Sequence, residues 1–171
     1  MLSVLMECKD QETELAQTLS VLVAGAVEGL VSDVSVLDRG SQDASSRVAD
    51  AAGCRFHVDW RLDDVLRATR GEWLLLIEPG ARPQIGWIDE VAEHMAMNRQ
   101  AARFSPSRNH RRSLVARLVT RPAPLEHGLV VQKAEALART RAGMGLADLA
   151  RSQTRAFRLV SEMVPAWAAR S

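Results

Sequence analysis

Three short polar segments, residues 7–11, 38–43 and 78–82, carry charged side chains, and each follows an apolar run. In open α/β sheets such segments bind ligands, because they meet outside the carboxyl ends of the strands, where helix N-termini attract anions. In the second segment Gly40 permits a tight turn, and Ser41 can cap the helix that follows. The formal net charge is only +1, so any anion bound at these segments is bound by local charge.

A fourth polar group is a basic cluster in the second half of the chain, formed by Arg108, His110, Arg111 and Arg112. It could bind a diphosphate, an acidic acceptor or an anionic lipid headgroup, or it could simply be a solvated loop. The motifs G-x-G-x-x-G, G-x-x-x-x-G-K-[ST] and G-x-S-x-G are absent from the sequence. Their absence argues against a dinucleotide oxidoreductase, a phosphate-loop enzyme and a serine hydrolase.

Strands and helices alternate in the first hundred residues, which predicts the framework that positions these segments. Apolar runs over 2–6, 34–37 and 73–77 predict strands, and the last has the continuous pattern of a parallel strand covered on both faces. After each run, apolar residues recur at the spacing of an amphipathic helix. This alternation predicts an α/β fold with a doubly wound, mainly parallel sheet and helices on both faces. Weaker patterns predict strands at 55–58, 103–106, 128–132 and 156–160, and helices at 62–69, 113–119, 133–138 and 146–152.

The chain of 171 residues, 47% of them hydrophobic, has the size of one domain with its own core. Its first residues have no basic region before their apolar stretch, and its longest apolar stretch is too short to cross a bilayer. The near-neutral charge gives no reason to expect binding to nucleic acid. Cys8 and Cys54 lack metal-site spacing and are expected to be reduced thiols. We therefore expect a cytoplasmic protein without a transmembrane segment.

Three of these sequence segments together resemble family 2 glycosyltransferases. V-L-D-R-G-S-Q-D-A-S over residues 36–45 is similar to the nucleotide-binding turn of that family, commonly V-V-D-D-G-S-x-D-G-T. L-S-V-L-M over residues 2–6, followed by D-Q-E, resembles the family's opening strand. R-G-E-W-L-L-L-I over residues 70–77 resembles its R-G-E-x-L-L-F-L strand. The resemblance covers about the first hundred residues and implies a GT-A-like fold with a nucleotide-binding half (1–100) and a reduced acceptor-side half (101–171).

The resemblance also implies roles for particular residues. It places the nucleotide at Cys8, Asp10, Asp38, Arg39 and Ser41. The sugar diphosphate would lie at Glu78 and Arg82, and Asp148 would be the general base that takes a proton from the acceptor hydroxyl. The partners implied are a nucleotide sugar and a carbohydrate or lipid-linked acceptor.

This sequence departs from the family pattern at its metal-binding motif. The family's D-x-D falls on Glu78, Pro79 and Gly80, so one of the two acids is missing. A Mg²⁺ or Mn²⁺ ion would have only Glu78 as a protein ligand, and we expect no tight site, because these cations need a near-complete shell of oxygen ligands. The guanidinium groups of Arg39 and Arg82 present a planar fork that matches phosphate oxygens and could replace the cation.

Two functions therefore stay open. The chain is an enzyme that transfers a sugar from a nucleotide sugar to an acceptor hydroxyl, or it is a degenerate, non-catalytic binding or interaction protein with a protein partner or a second copy of itself. Asp38 and Ser41 could merely shape a turn, and Asp148 could merely be solvated. Among the tryptophans, Trp73 is expected in the core, and Trp87 is the better candidate to stack against a sugar.

Overall fold

A single mixed sheet forms the centre of the molecule in the computed structural model, which describes residues 1–110 and 122–170. Within these residues the sheet has eight strands in the order β3-β2-β1-β4-β7-β6-β8-β5. The strands are Leu2–Cys8 (β1), Val31–Asp38 (β2), Arg55–His57 (β3), Trp73–Leu76 (β4), Arg82–Pro83 (β5), Ala102–Pro106 (β6), Leu129–Gln132 (β7) and Phe157–Val164 (β8). The helices are Glu12–Val27 (α1), Ser45–Ala51 (α2), Leu62–Ala68 (α3), Trp87–Met97 (α4), Lys133–Arg139 (α5) and Leu146–Ser152 (α6), followed by a 3₁₀ helix at Ala166–Arg170.

The first half of the sheet is parallel. β1 pairs in parallel with β2 on one side and with β4 on the other, and β2 pairs in parallel with β3. Leu5 of β1 and Leu76 of β4 are register partners, and both are fully buried. Residues 2–6 of β1 and all of β4 are buried, because helices cover both faces of these central strands. Their carboxyl ends therefore lie at one edge of the sheet.

Two apolar layers cover the faces of the sheet. On one face, side chains such as Val4 and Met6 pack with Leu15, Leu19 and Leu22 of α1 and with Val91 of α4. On the other face, Leu5 and Leu76 pack with residues of α3, α5 and α6, namely Leu62, Val65, Leu66, Ala136, Leu146 and Leu149. The alternation of successive strand residues between the two layers is the two-residue period of a strand. The predicted α/β fold with helices on both faces is confirmed.

The second half of the sheet is mixed. β7 runs antiparallel to both β4 and β6, β8 runs parallel to β6, and β5 pairs antiparallel with the end of β8. Arg103 of β6 ties this half together, because its guanidinium donates to the carbonyl oxygens of Pro124, Gly128 and Ala150. Burial lowers the pKa of Arg103. The segment around residue 125 and helix α6 are thereby fixed to the sheet.

The structure extends several elements that the sequence predicts and adds two others. β1 continues to Cys8 and β8 to Val164, whereas β5 and the 3₁₀ helix were not predicted. The predicted helix at 113–119, together with Arg111 and Arg112 of the basic cluster, lies outside the described residues. Among the helices described, none combines the length and the hydropathy needed to cross a membrane.

Candidate functional site

The three polar segments singled out in the sequence follow β1, β2 and β4 at the carboxyl edge of the sheet. The parallel pairing of these strands brings Cys8 beside Asp38 in register. Leu5 of β1 faces Leu76 of β4, so Glu7 and Glu78 also come to lie at this edge. The edge is therefore where the site residues predicted from sequence can meet, as expected for an open α/β sheet.

The first two segments are joined by reciprocal hydrogen bonds. The backbone N–H of Asp10 donates to Ser41 Oγ at 3.0 Å, and the N–H of Gln42 donates to Asp10 Oδ1 at 2.6 Å. Asp10 adopts a left-handed backbone, with φ of 51°, a conformation that aspartate tolerates better than most residues. Asp10 and Ser41 thus hold the two loops against each other.

The carboxylate of Asp38 is bound by its own loop. Asp38 accepts hydrogen bonds from the backbone N–H of Gly40 at 3.0 Å, from the N–H of Ser41 at 3.1 Å, and from Ser41 Oγ at 2.6 Å. Gly40 has φ of 86°, which the tight turn requires and which glycine adopts at little cost. The turn-shaping role that the sequence left open for Asp38 and Ser41 is therefore present in the structure.

Cys8 lies beneath these loops, at the end of β1. Its side chain is 1% exposed, and Sγ lies 3.5 Å from Ser45 Oγ. Burial raises the pKa of this thiol, so the group stays neutral at physiological pH. Cys8 is placed to support the loops rather than to contact a ligand directly.

A hollow of about 750 Å³ opens beside Asp38 and Arg39. Its wall continues through residues 58–63, which connect β3 to α3, and residues 141–144, which precede α6. Trp60 forms part of this wall, and its indole N–H donates to the carbonyl oxygen of Asp38 at 2.9 Å. The Trp60 ring also packs on the apolar layer that contains Leu62 and Leu146. This first hollow therefore has one firmly held aromatic ring.

Arg39 lies over that ring and reaches across the top of β1. Its guanidinium carbon is 4.7 Å from the centre of the Trp60 ring, within the range of a cation–π contact. Arg39 also donates to Glu7 Oε2 from Nε at 3.0 Å and from Nη2 at 2.8 Å. The other oxygen of Glu7 accepts the backbone N–H of Leu146, at the start of α6.

A second hollow, of about 390 Å³, lies on the other side of this ion pair. Glu7, Glu78, Leu125 and Trp167 line it, together with Leu146 and Ala147 at the start of α6. The indole N–H of Trp167 donates to Glu126 Oε1 at 3.2 Å. The second hollow thus combines two carboxylates with an aromatic ring and apolar side chains.

The segment at residues 78–80, where the resemblance places the family's D-x-D, has a backbone that is unfavourable for a second acid. Gly80 has φ of 96°, and a Cβ atom at this position would lie 3.0 Å from both the carbonyl oxygen of Ala166 and the Cβ of Ala169. Its N–H donates to Thr18 Oγ1 at 2.8 Å, so the backbone is fixed in this conformation. An acid at position 80 would therefore be strained and would require the 3₁₀ helix to shift by a few tenths of an ångström. No group of three or more potential metal ligands is found among residues 1–110 and 122–170.

The remaining predicted site residues are Arg82 and Asp148, and both make hydrogen bonds within the protein. Arg82 is in β5, and its Nη1 donates to Gln17 Oε1 at 3.2 Å. Asp148 Oδ2 accepts the N–H of Gly145 at 3.1 Å, and Asp148 Oδ1 pairs with Arg151 at 2.8 Å. Neither Arg82 nor Asp148 is among the described residues that line either hollow.

Trp87, which the sequence favours for stacking against a sugar, is buried. Trp87 is 3% exposed, and its ring lies so close to Gly25 that a Cβ there would be 2.8 Å from it. Trp87 therefore belongs to the core, as Trp73 does. Trp60, Trp167 and Glu7, which the sequence analysis did not choose, line the two hollows. The one available signal for Trp60 was its position a few residues after a predicted strand.

Comparison with known proteins finds similarity at the level of structure. No family model and no curated protein sequence matches the chain. Glucosyl-3-phosphoglycerate synthase from Mycobacterium tuberculosis, solved with Mn²⁺, uridine diphosphate and glucosyl-3-phosphoglycerate, aligns with a TM-score of 0.59 and 20% identity over 80% of this chain and 58% of that one. The same enzyme with Mn²⁺ and uridine-diphosphate-glucose aligns at 0.58 and 22% over 85% of this chain and 60% of that one. A structure described as a mycobacterial protein aligns at 0.59 and 22% over 80% and 54%.

These alignments establish the fold of the chain. It has a GT-A-like α/β fold, as the resemblance to family 2 glycosyltransferases predicts. The chain spans about 58% of the length of the solved synthase. Below 25% identity the likeness extends to the fold, and the activity has to be argued from the site itself.

Proposed function

We propose that this chain is a glycosyltransferase-like protein that binds a nucleotide sugar across the carboxyl edge of its sheet and transfers the sugar to an acceptor hydroxyl. The observation that carries this proposal is the pair of adjoining hollows, about 750 and 390 Å³ in volume, on either side of the Arg39–Glu7 ion pair. The nucleoside occupies the first hollow. The diphosphate passes Arg39, and the sugar reaches Glu78 in the second hollow, where the acceptor also enters.

Each predicted nucleotide-binding residue has a part in this proposal. Arg39 contacts the diphosphate directly, because it lines the first hollow and presents a guanidinium fork. Asp38 and Ser41 give the loop its shape, and Asp10 and Cys8 support that loop from the end of β1. Arg39 thus contacts the anion, and the other four residues stabilise the loops around it. In this proposal residues 1–100 bind the nucleotide, and residues 101–171 complete the acceptor side.

Sugar transfer requires three events at this edge. The acceptor oxygen, on a carbohydrate or a lipid-linked sugar, attacks the anomeric carbon, and the bond from that carbon to the diphosphate oxygen breaks. A base takes the proton of the acceptor hydroxyl, and Asp148 is the proposed base. Negative charge develops on the departing diphosphate, and the guanidinium of Arg39 stabilises it. The solved synthases bind Mn²⁺ or Mg²⁺ with uridine diphosphate, but the conformation of Gly80 does not favour that arrangement here.

A second candidate is a binding protein that keeps the fold without catalysing transfer. Two observations favour it: the backbone at Gly80 is unfavourable for a second acid, and Asp148 is engaged by Gly145 and Arg151. Such a protein would hold the nucleotide sugar, or act through a protein partner or a second copy of itself. In its nucleotide-binding form, the second candidate shares the ligand of the first but forms no product.

Both candidates are tested by ligand binding followed by product analysis. The purified chain is screened by thermal shift and calorimetry against the diphosphates of uridine, guanosine, thymidine and cytidine and their sugars, with manganese and with a chelator. We expect at least one nucleoside diphosphate to raise the melting temperature, because a ligand specific to the folded state stabilises it by mass action. The chelator should not abolish this effect. If none of these ligands binds in either condition, the first candidate and the nucleotide-binding form of the second are rejected. Binding without release of nucleoside diphosphate from the sugar, in the presence of acceptors, selects the second.

A further inference from the structure

The ion pair between Arg39 and Glu7 forms the wall between the two hollows. Arg39 lines the first hollow and Glu7 lines the second. Both donors of Arg39 that face Glu7 bind the same oxygen, with Nε at 3.0 Å and Nη2 at 2.8 Å from Oε2. An anion that enters the first hollow therefore meets a guanidinium that a carboxylate has already engaged.

The surroundings of the pair hold Glu7 in place. Its Oε1 accepts the backbone N–H of Leu146, and a Cβ on Gly145 would lie 2.5 Å from that same oxygen and 2.6 Å from Arg39 Nη2. On its other side, Arg39 lies against the ring of Trp60. If Arg39 turns toward a ligand, Glu7 cannot follow without losing its bond to the start of α6. The ion pair therefore breaks when the side chain of Arg39 turns away from Glu7.

Breaking the Arg39–Glu7 ion pair costs little free energy. The side chain of Arg39 is 50% exposed and that of Glu7 is 23% exposed, so water screens their attraction. Competition from a carboxylate in such an exposed ion pair lowers the affinity of Arg39 for an anion by about fivefold at most. A diphosphate carries more charge and more acceptor oxygens than one carboxylate, and its hydrogen bonds to a guanidinium are charge-assisted. The diphosphate can displace the carboxylate of Glu7, and it must do so in order to bind the guanidinium of Arg39.

We propose that Glu7 is a latch on the nucleotide site, a positioning residue that acts through Arg39 by competing with the ligand's diphosphate for its guanidinium. The proposal rests on the proposed function, because the anion it concerns is the diphosphate of a nucleotide sugar. It predicts that a substitution in the site increases the affinity for the anion. Removing the charge of Glu7 strengthens anion binding, whereas a residue that contacted the ligand or merely supported the fold would weaken binding when changed.

The test measures binding of inorganic pyrophosphate and of uridine diphosphate by calorimetry. Glu7→Gln keeps the size of the side chain and an oxygen for the N–H of Leu146. We expect Glu7→Gln to raise the affinity for pyrophosphate about three- to fivefold. Glu7→Asp, which keeps the charge on a shorter side chain, should give a smaller increase and serves as the second variant should Glu7→Gln fold poorly. Melting temperatures verify that each variant is folded.

Two controls separate the latch from a general effect of charge. Asp64→Asn removes one negative charge close to the same hollow, from an exposed side chain of α3 that does not line it. It should change the affinity less than twofold. In an Arg39→Gln background, Glu7→Gln should have no effect, because the residue through which it acts is gone.

The outcomes decide the proposal. Unchanged or weaker pyrophosphate binding by Glu7→Gln, an equal gain in Asp64→Asn, or a gain that persists without Arg39 overturns the latch, as does failure of pyrophosphate to bind wild type and Glu7→Gln alike. Stronger pyrophosphate binding by Glu7→Gln, with no binding of any nucleoside diphosphate, upholds the latch and rejects the proposed function. The two proposals can therefore fail separately.

Discussion

Gly80 packs directly against the backbone of Ala166, so closely that any side chain at this position would be strained. A Cβ atom at position 80 would lie 3.0 Å from the Ala166 carbonyl oxygen, and the φ of 96° is unfavourable for every residue except glycine. Position 80, where the resemblance places the second acid of the family's D-x-D, is therefore constrained by the position of the 3₁₀ helix at Ala166–Arg170.

Restoring the acid should consequently damage the fold instead of creating a metal site. We expect Gly80→Asp to lower the free energy of unfolding by about 2–4 kcal/mol, from backbone strain and the close contact together. The matched control is Gly53→Asp, where φ is 70° and nothing lies within 4 Å of an added Cβ; it should cost about 1 kcal/mol. Urea denaturation measures both values. A stable Gly80→Asp variant that gains manganese-dependent binding would contradict this explanation.

Trp60 should be the aromatic residue on which nucleotide binding depends. Replacement of Trp60 by leucine removes both the ring beneath Arg39 and the hydrogen bond to the Asp38 carbonyl. We expect the affinity for a nucleoside diphosphate to fall about tenfold, the combined size of one cation–π contact and one hydrogen bond. Calorimetry measures the affinity, and circular dichroism verifies the fold. An affinity within twofold of wild type would show that the ring serves the core alone.

The two arginines predicted to contact the diphosphate should behave differently. Arg39 lines the first hollow, whereas Arg82 in β5 bonds to Gln17 and lines neither hollow. Arg39→Lys should weaken nucleoside diphosphate binding about tenfold, because lysine lacks the bidentate fork. Arg82→Lys is the matched control and should change the affinity less than twofold. A comparable loss in Arg82→Lys would return Arg82 to the diphosphate site that the sequence predicts for it.

The thiols should be nearly inert to alkylation in the folded protein. Burial raises the pKa of Cys54 to about 11 and also raises the pKa of Cys8. A raised thiol pKa keeps the group protonated as the pH rises past 9, so at pH 8 the thiolate of Cys54 should be about a hundredfold scarcer than in an unfolded chain. Iodoacetamide labelling followed by mass spectrometry, with and without urea, measures this difference. Equal labelling rates in the two conditions would contradict the burial of these residues.

The central parallel strands could be predicted because strands that are covered by helices on both faces have apolar residues at successive positions. The apolar runs over 73–77 and over 2–6, which Ser3 interrupts, are buried on both faces. The polar segments that follow them lie at the carboxyl edge. β5 could not be predicted, because Arg82–Pro83 is too short to show a period and forms only by pairing with β8.

The division of the site into two hollows lay beyond the sequence for a different reason. The Arg39–Glu7 pair joins residues 32 positions apart, and neither residue type specifies the other as its partner. Trp60 and Trp87 are the same residue type near strand ends. Only tertiary packing decides that Trp87 is buried against Gly25 while Trp60 lines a hollow.

Asp148 can be tested with a substitution that separates its structural role from its proposed catalytic role. In the structure Oδ2 accepts the N–H of Gly145, at the N-terminus of α6, and Oδ1 pairs with Arg151. Asparagine preserves an oxygen acceptor for that N–H and is a good residue at helix N-termini, but it cannot take a proton from an acceptor hydroxyl. We therefore expect Asp148→Asn to keep nucleotide affinity within twofold of wild type and to lower the rate of sugar transfer by roughly a hundredfold or more, the usual contribution of a general base. Asp148→Ala should in addition lower the free energy of unfolding by about 1 kcal/mol, since it loses the bond to Gly145. Calorimetry, a coupled assay for released nucleoside diphosphate and urea denaturation give the three values. A transfer rate that is unchanged in Asp148→Asn would exclude this residue as the base and leave Asp148 with the structural role alone.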